Sequence, residues 1–160
     1  MPDPRPPETL FVLFNEIGIL EQLSRAMFEA RLPHGFMVSQ FSVLNHLIRV
    51  RDGRTPLDLA RAFQVPKTTM THTLSVLDRH GLIRLAPNPG DGRSKCVWIT
   101  EAGRAFRDRA IAALDGDLAD IAARFPVERL AEVLPVLTDL RRVMDAMRDG
   151  PSALWAAQGP

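Results

Sequence analysis

The chain holds a single cysteine, Cys96, among its 160 residues. One thiol excludes an intrachain disulfide framework and a thiolate zinc cluster, and leaves only an intermolecular bridge or one reactive sulfur. No run of 18 apolar residues occurs, and the opening MPDPRPPETL places prolines and acids where a secretory leader needs an apolar stretch. These absences predict a soluble, cytoplasmic protein with no membrane partner. The four histidines, at 34, 46, 72 and 80, have no compact ligand spacing, so no metal is expected. There is no nucleotide-binding glycine motif, metalloprotease motif or G-x-S-x-G elbow, which predicts binding without catalysis and without a cofactor.

Excess charge of one sign is missing too: 20 Lys plus Arg face 19 Asp plus Glu, a net charge of +1. A uniformly basic coat is thereby excluded, and any surface for a polyanion must be local. Such a surface has a place to form. Residues 61 to 109 carry nine basic side chains against four acidic ones, and both lysines of the chain, Lys67 and Lys95, fall in that block. With 46% apolar and 24% charged residues, the length suits one well-packed domain or a domain with a helical extension.

Proline-rich residues 1–7 predict a mobile tail. From Glu8, Leu10, Phe14, Ile17 and Leu20 recur at helical intervals as far as Met27, and the stretch LPHG then ends a long first helix. Ser39 is a candidate cap for a second helix with Phe41, Val43, Leu44, Leu47 and Ile48 on its apolar positions. After an RDGR turn at 51–54, Thr55 and Pro56 have the form of a helix start. A further helix opens at Pro66, carries Met70, Leu74 and Leu77 on one side, and closes at Gly81. Leu82 to Leu85 and Cys96 to Ile99 read as two strands around a loop of about eight residues, with Val97 and Ile99 on the core face and Cys96 and Trp98 on the other. Thr100 caps a helix read as continuous through Phe106, Ala110, Leu114, Leu118 and Ile121. A last helix runs from about Leu130 to Met147, bent at Pro135. The same pass divides the chain into N-terminal helices at 8–50 for dimerisation and support, a core at 51–100, C-terminal dimerisation helices at 101–148 and a flexible tail at 149–160.

Helix, short turn, helix and a two-stranded wing make a winged helix-turn-helix, so the fold class is mainly α (α+β). The second helix of such a unit enters the major groove, about 12 Å wide, by its N-terminal half. Here that half offers Lys67, Thr68, Thr69, Thr71, His72 and Ser75. Lysine and hydroxyls suit phosphates and base edges, threonine methyls suit the thymine methyl, and an imidazole donates to or accepts from a purine edge. Threonine is a weaker helix former than alanine or leucine, so several on one short helix point to a surface chosen for contact. On the wing, Arg93 and Lys95 project from one side of a hairpin tip toward a phosphate, and Asp91 is expected to aim the Arg93 guanidinium through a charge-assisted hydrogen bond. The terminal helices carry apolar stripes that a single chain of this size cannot cover, which predicts a homodimer.

The stretch TPLDLARAFQVPKTTMTHTLSVLDRHGLIRLAPNPGDGRSKCVWITEAG, from Thr55 to Gly103, resembles the winged helix-turn-helix core of the MarR family of bacterial transcriptional regulators. The features that carry the resemblance are Leu77 to Ile83, the Asp91-x-Arg93 wing and Ile99 to Gly103. It implies a homodimer joined by its terminal helices, bound to double-stranded DNA at a pseudo-palindromic operator. It also implies a repressor released by a small, often aromatic or phenolic ligand. In that family the ligand pocket lies between the dimerisation helices and the DNA-binding lobe, and its candidate residues here are Phe11, Asn15, Phe36, Met37, Phe41 and His46. Pro66 stands where the family commonly has a serine cap. Two alternatives remain: a winged-helix interaction module that binds no operator, and a redox-responsive regulator acting through Cys96.

Overall fold

The computed structural model describes residues 5–149. The outer parts of the two predicted tails, 1–4 and 150–160, lie outside the described residues. The chain divides into two compact units at Gly116. The first contains α1 (Pro6–Glu29), α2 (Val38–Arg49), α3 (Pro56–Ala62), α4 (Lys67–Arg79), β1 (Ile83–Asn88), β2 (Asp91–Ile99) and α5 (Glu101–Ala112). The second contains most of α6 (Asp115–Ala122) and all of α7 (Glu128–Asp149).

Several helix ends follow from local chemistry. Thr55 Oγ1 accepts from the Asp58 N–H at 3.1 Å while the Asp58 carboxylate accepts from Thr55, closing a reciprocal cap on α3. That bond with the Thr55 hydroxyl is the main cause holding the Asp58 carboxyl below its ordinary value. Gly81, at φ +66°, ends α4: its N–H donates to Asp78 O, and the Leu82 N–H reaches back to Leu77 O at 2.9 Å. Thr100 Oγ1 accepts from the Gly103 N–H and donates to Gly81 O, so a single hydroxyl starts α5 and ties it to the end of α4.

Four boundaries differ from the sequence reading. Helix α1 starts at Pro6, because prolines are compatible with a first turn whose N–H groups have no intrahelical partner anyway. Helix α2 starts at Val38, so Ser39 lies inside it; its cap is Met37, whose N–H donates to Gln40 Oε1 at 2.6 Å. The strands are longer than predicted and leave only Pro89 and Gly90 between them. Pro87 fits because a two-stranded ribbon has free edges, where a missing N–H costs no ladder bond. Finally, the helix after Thr100 stops at Ala112, and a new helix, α6, begins at Asp115 with Asp115 and Asp117 in its first turn, where acidic side chains are favoured.

The core of the first unit gathers Val43, Leu44 and Leu47 from α2, Leu59 from α3, Met70, Leu74 and Leu77 from α4, Val97 and Ile99 from β2, and Phe106 from α5. Helices α2 and α5 are therefore part of the body that supports α4. Cys96 was expected on the open face of the wing, yet it is buried, as are Val97 and Ile99. The turn between α2 and α3 joins the outer edge of β2 through the bridge between Arg54 and Val97, and Gly53 of that turn lies against the Trp98 ring, so this face is not open as a free ribbon's would be. In contrast, α1 buries only Phe28, and its remaining apolar side chains are largely exposed. In the second unit, taken by itself, α6 buries nothing, and along α7 Leu134, Val136 and Val143 are all more than half exposed. Pro135, expected to bend the last helix, lies inside α7.

Gly103 marks the tightest approach in the first unit. A Cβ there would lie 2.0 Å from Leu82 O and 2.8 Å from Ile99 Cγ1. Only glycine lets α5 press this closely on the start of the wing. Gly103→Ala should therefore destabilise the protein by about 2–4 kcal/mol, since backbone rather than a mobile side chain must yield. Urea unfolding checks this.

Candidate nucleic-acid interface

Helix α4 separates its residues cleanly. Met70, Thr73, Leu74, Val76 and Leu77 are buried, whereas Lys67, Thr68, Thr69, Thr71, His72 and Ser75 are all exposed. Thr73 sits in the buried stripe because its hydroxyl donates to Thr69 O at 3.1 Å, which satisfies it inside the helix. Thr71 similarly donates to Lys67 O at 2.8 Å, leaving its oxygen lone pairs and methyl outward. Lys67, Thr68, Thr71, His72 and Ser75 thus share one solvent-facing side, while Thr69 is exposed at the flank that borders a cavity.

The turn before α4 contains a feature that sequence reasoning missed. Gln64 adopts φ +52°, the only positive φ among the described non-glycine residues. It stands in the position glycine usually takes after a helix: its N–H donates to Arg61 O, and the Val65 N–H donates to Ala60 O at 3.0 Å. Glycine would have signalled this turn; glutamine does not. Pro66 then acts as N-cap with no side-chain acceptor, and the ladder begins with Met70 N–H donating to Pro66 O. The first-turn N–H groups and Lys67 consequently share the positive end of the helix dipole, where an anion is favoured.

The wing is an antiparallel ribbon in which Ile83 faces Ile99 and Pro87 faces Lys95. Arg93 and Lys95 are exposed and two residues apart, on the same side by the strand period. Neither makes an ion pair among the described residues. The expected bond from Asp91 to the Arg93 guanidinium is not formed. Asp91 Oδ1 instead accepts from the Arg93 backbone N–H at 3.0 Å, because an aspartate at a tight turn readily captures the N–H two residues on. Asn88 repeats the device with the Gly90 N–H, and its Nδ2 donates to Ser94 Oγ, which donates to Asp91 O. Asp91 therefore shapes the tip and leaves the guanidinium free. At the wing's base, Arg84 lies over the Trp98 ring at 5.5 Å, a pairing set by their facing positions that the sequence reading did not single out.

Of the six residues expected to line a ligand pocket, three are exposed and three pack against other rings. Phe11 is 74% exposed on α1, and Asn15 and Met37 are also exposed. Phe36 packs against Phe106 and His80, Phe41 against Phe28, and His46 against Phe63. A cavity of about 250 Å³ lies elsewhere, between the end of α1, the start of α2 and the back of α4; Arg25, Ser39, Ser42, Phe63, Thr69 and Thr73 are among its walls. None of the six expected residues lines it.

Among the described residues no three His, Cys, Asp or Glu side chains cluster to hold a metal, and no helix is long and apolar enough to cross a membrane.

Residues 34–94 match the family model described as MarR family. The chain is 28% identical over 142 residues to BadR, a transcriptional activatory protein of Rhodopseudomonas palustris, across 84% of this chain and 79% of BadR. Its fold is similar to that of apo wild-type MarR from E. coli, with a TM-score of 0.69 and 23% identity over 80% of this chain and 96% of that one. It is equally similar to BldR from Sulfolobus solfataricus, with a TM-score of 0.69 and 24% identity over 85% of this chain and 99% of that one. The chain has the fold of MarR-type regulators, and its residues 34–94 match that family's model. The family match and the shared winged helix-turn-helix together support general MarR-type transcriptional regulation.

His46 gives this lobe a pH dependence. Burial holds its pKa below the ordinary value, reinforced by the nearby charges of Arg54 and Arg49, and its Nε2 is buried without a hydrogen-bond partner. Protonation therefore favours the unfolded chain, so this contribution to stability is complete above about pH 6.5 and is lost as pH falls through the lowered value. Unfolding free energy measured by urea titration should decline as pH falls below about 6.5. His46→Phe, which keeps a ring against Phe63, should flatten that decline.

Proposed function

We propose that the protein acts as a homodimer on a pseudo-palindromic duplex, each copy laying α4 in a major groove and resting its wing on the backbone. The observation that carries this reading is the exposed polar side of α4, with Lys67, Thr68, Thr71, His72 and Ser75 outward, Thr69 exposed at its flank and the apolar stripe behind. A helix held only by its back can enter a groove without rearranging the core. Arg93 and Lys95 supply sequence-independent phosphate contacts, while His72 and the threonines face base edges.

Pairing of two copies is supported by each unit separately. Leu20 and Leu23 on α1 are 62% and 64% exposed, and α7 exposes Leu134 and Val136 to a similar degree. Stripes of this kind on a soluble chain call for a second surface. On this reading the helices at 8–50 and 101–148 supply dimerisation and support, and residues 51–100 supply the DNA-binding core. A small molecule with an apolar body and a hydrogen-bonding or acidic group relieves repression by binding the cavity behind α4. It acts only through a difference in affinity between DNA-compatible and incompatible arrangements. The walls support that chemistry: Phe63 and Val65 are apolar, Ser39 and Ser42 bring hydroxyls, and Arg25, which is paired with Glu21, brings a guanidinium. An activating role is the second reading, favoured by the likeness to BadR. A reporter driven from the bound site distinguishes them, since loss of the protein raises expression under a repressor and lowers it under an activator.

Selection of bound duplexes from a random library tests the central claim, with an enriched palindrome as the expected result. Affinity for that duplex should fall steeply with salt, because counterions are released from phosphates; a salt-insensitive protein with no enriched site would be an interaction module instead. Arg93→Ala should weaken binding to every duplex, whereas His72→Ala should change preference at one or two base pairs, as a gel-shift titration reads. For pairing, Leu23→Glu should move the protein toward monomer in analytical ultracentrifugation and lower DNA affinity with it.

A further inference from the structure

Strand β2 is fastened along its outer edge to the turn between α2 and α3. The Val97 N–H donates to Arg54 O at 2.8 Å and the Gly53 N–H donates to Val97 O at 3.0 Å, so the turn serves as a short third strand. Asp52 extends this fastening beyond the backbone. Its Oδ1 accepts from the Ile99 N–H at 3.0 Å, 47 residues away in sequence, and from the Gly53 N–H at 3.0 Å. Its Oδ2 lies 3.6 Å from Arg104 Nη2 on α5, and the side chain is only 25% exposed. One carboxylate thus meets the end of the wing, the turn and the start of α5. The Trp98 ring covers the same turn so closely that a Cβ on Gly53 would lie 2.7 Å from it. The side-chain bonds of the wing tip, by contrast, all run within the wing.

We infer that Asp52 is a positioning residue for DNA binding: by holding the Ile99 N–H it sets the direction in which the wing leaves the core, and hence where Arg93 and Lys95 meet the DNA backbone. The inference rests on the proposed wing contact. Its physics is leverage. Arg93 lies six residues from Ile99, about 20 Å along an extended strand, so a tilt of about 10° at the base carries the tip about 3 Å, farther than one ion pair tolerates. A carboxylate acceptor is a strong hinge pin, since its hydrogen bond is charge-assisted and its loss strands a part-buried donor. Sequence reasoning treated RDGR only as a turn, because a bond across 47 residues leaves no local pattern.

The test measures affinity against salt for full-length protein on the duplex enriched by the wild type, with and without Arg93→Ala, in three backgrounds. In the wild type Arg93→Ala should weaken binding about tenfold. In Asp52→Ala, and in Gly53→Ala where the added methyl pushes Trp98 away, the same change should matter less than about twofold, and the salt slope should flatten by about 0.9 for each phosphate that the displaced wing leaves unneutralised. Asp52→Asn keeps a carbonyl oxygen for the Ile99 N–H and should restore the Arg93 effect. A purely structural loss would lower the folded fraction without changing the slope of the molecules that remain folded. The inference is overturned if folded Asp52→Ala and Gly53→Ala, checked by circular dichroism at the assay temperature, keep the tenfold effect, or if Asp52→Asn loses it as fully as Asp52→Ala. Should Asp52→Ala not fold, Gly53→Ala decides alone. A wild type indifferent to Arg93→Ala would instead refute the wing contact itself.

Discussion

Helix α4 has to be held entirely from behind, and much of the first unit is arranged around that constraint. A helix that leaves its polar side open to solvent must take its stability from one apolar stripe. Met70, Leu74 and Leu77 provide it by meeting Leu44, Leu47 and Leu59 in a core with almost no exposed apolar surface. Burial of side chains this size stabilises by roughly 1.5–3 kcal/mol each, enough to fix a 13-residue helix that would be marginal alone. The Gly81 turn and the Thr100 hydroxyl extend the same support to the helix's far end and to α5.

The wing is organised on a different principle. It has little core of its own, and its shape comes from hydrogen bonds among short polar side chains at the tip and from backbone pairing at the base. A recognition surface made of one rigid helix and one aimed ribbon can combine specificity with grip. The helix contributes side chains whose positions are set by packing, while the ribbon contributes cations whose position depends on a few bonds around Asp52 and Gly53.

The elements most legible in the sequence were those whose signals are local. Thr55 with Pro56, Gly81, and Thr100 with Gly103 marked helix ends, because caps and left-handed residues are fixed by nearest neighbours. The α4 face was legible because its apolar positions follow the helical period without a gap. Signals failed where residues outside the segment decide. Cys96 and Trp98 alternate correctly for a ribbon with one open face, but the 52–54 turn joins the edge of β2 and its Gly53 lies against the Trp98 ring. Phe36, Phe41 and His46 each meet an aromatic ring from another segment, and no local pattern announces those pairs. Gln64 takes a glycine's conformation, and the break after Ala112 falls within an unbroken apolar rhythm.

The enclosure of Cys96 has a practical consequence. With 5% of its surface accessible and Ala86 opposite it, the sulfur is shut away whenever β1 and β2 are joined to the core. It is also the only thiol in the chain. A covalent reagent in solution therefore reaches a single atom, and reaches it only during the moments when the hairpin's root loosens. The kinetics of alkylation become a clock for that loosening, readable by mass spectrometry on the unaltered protein, free or in complex.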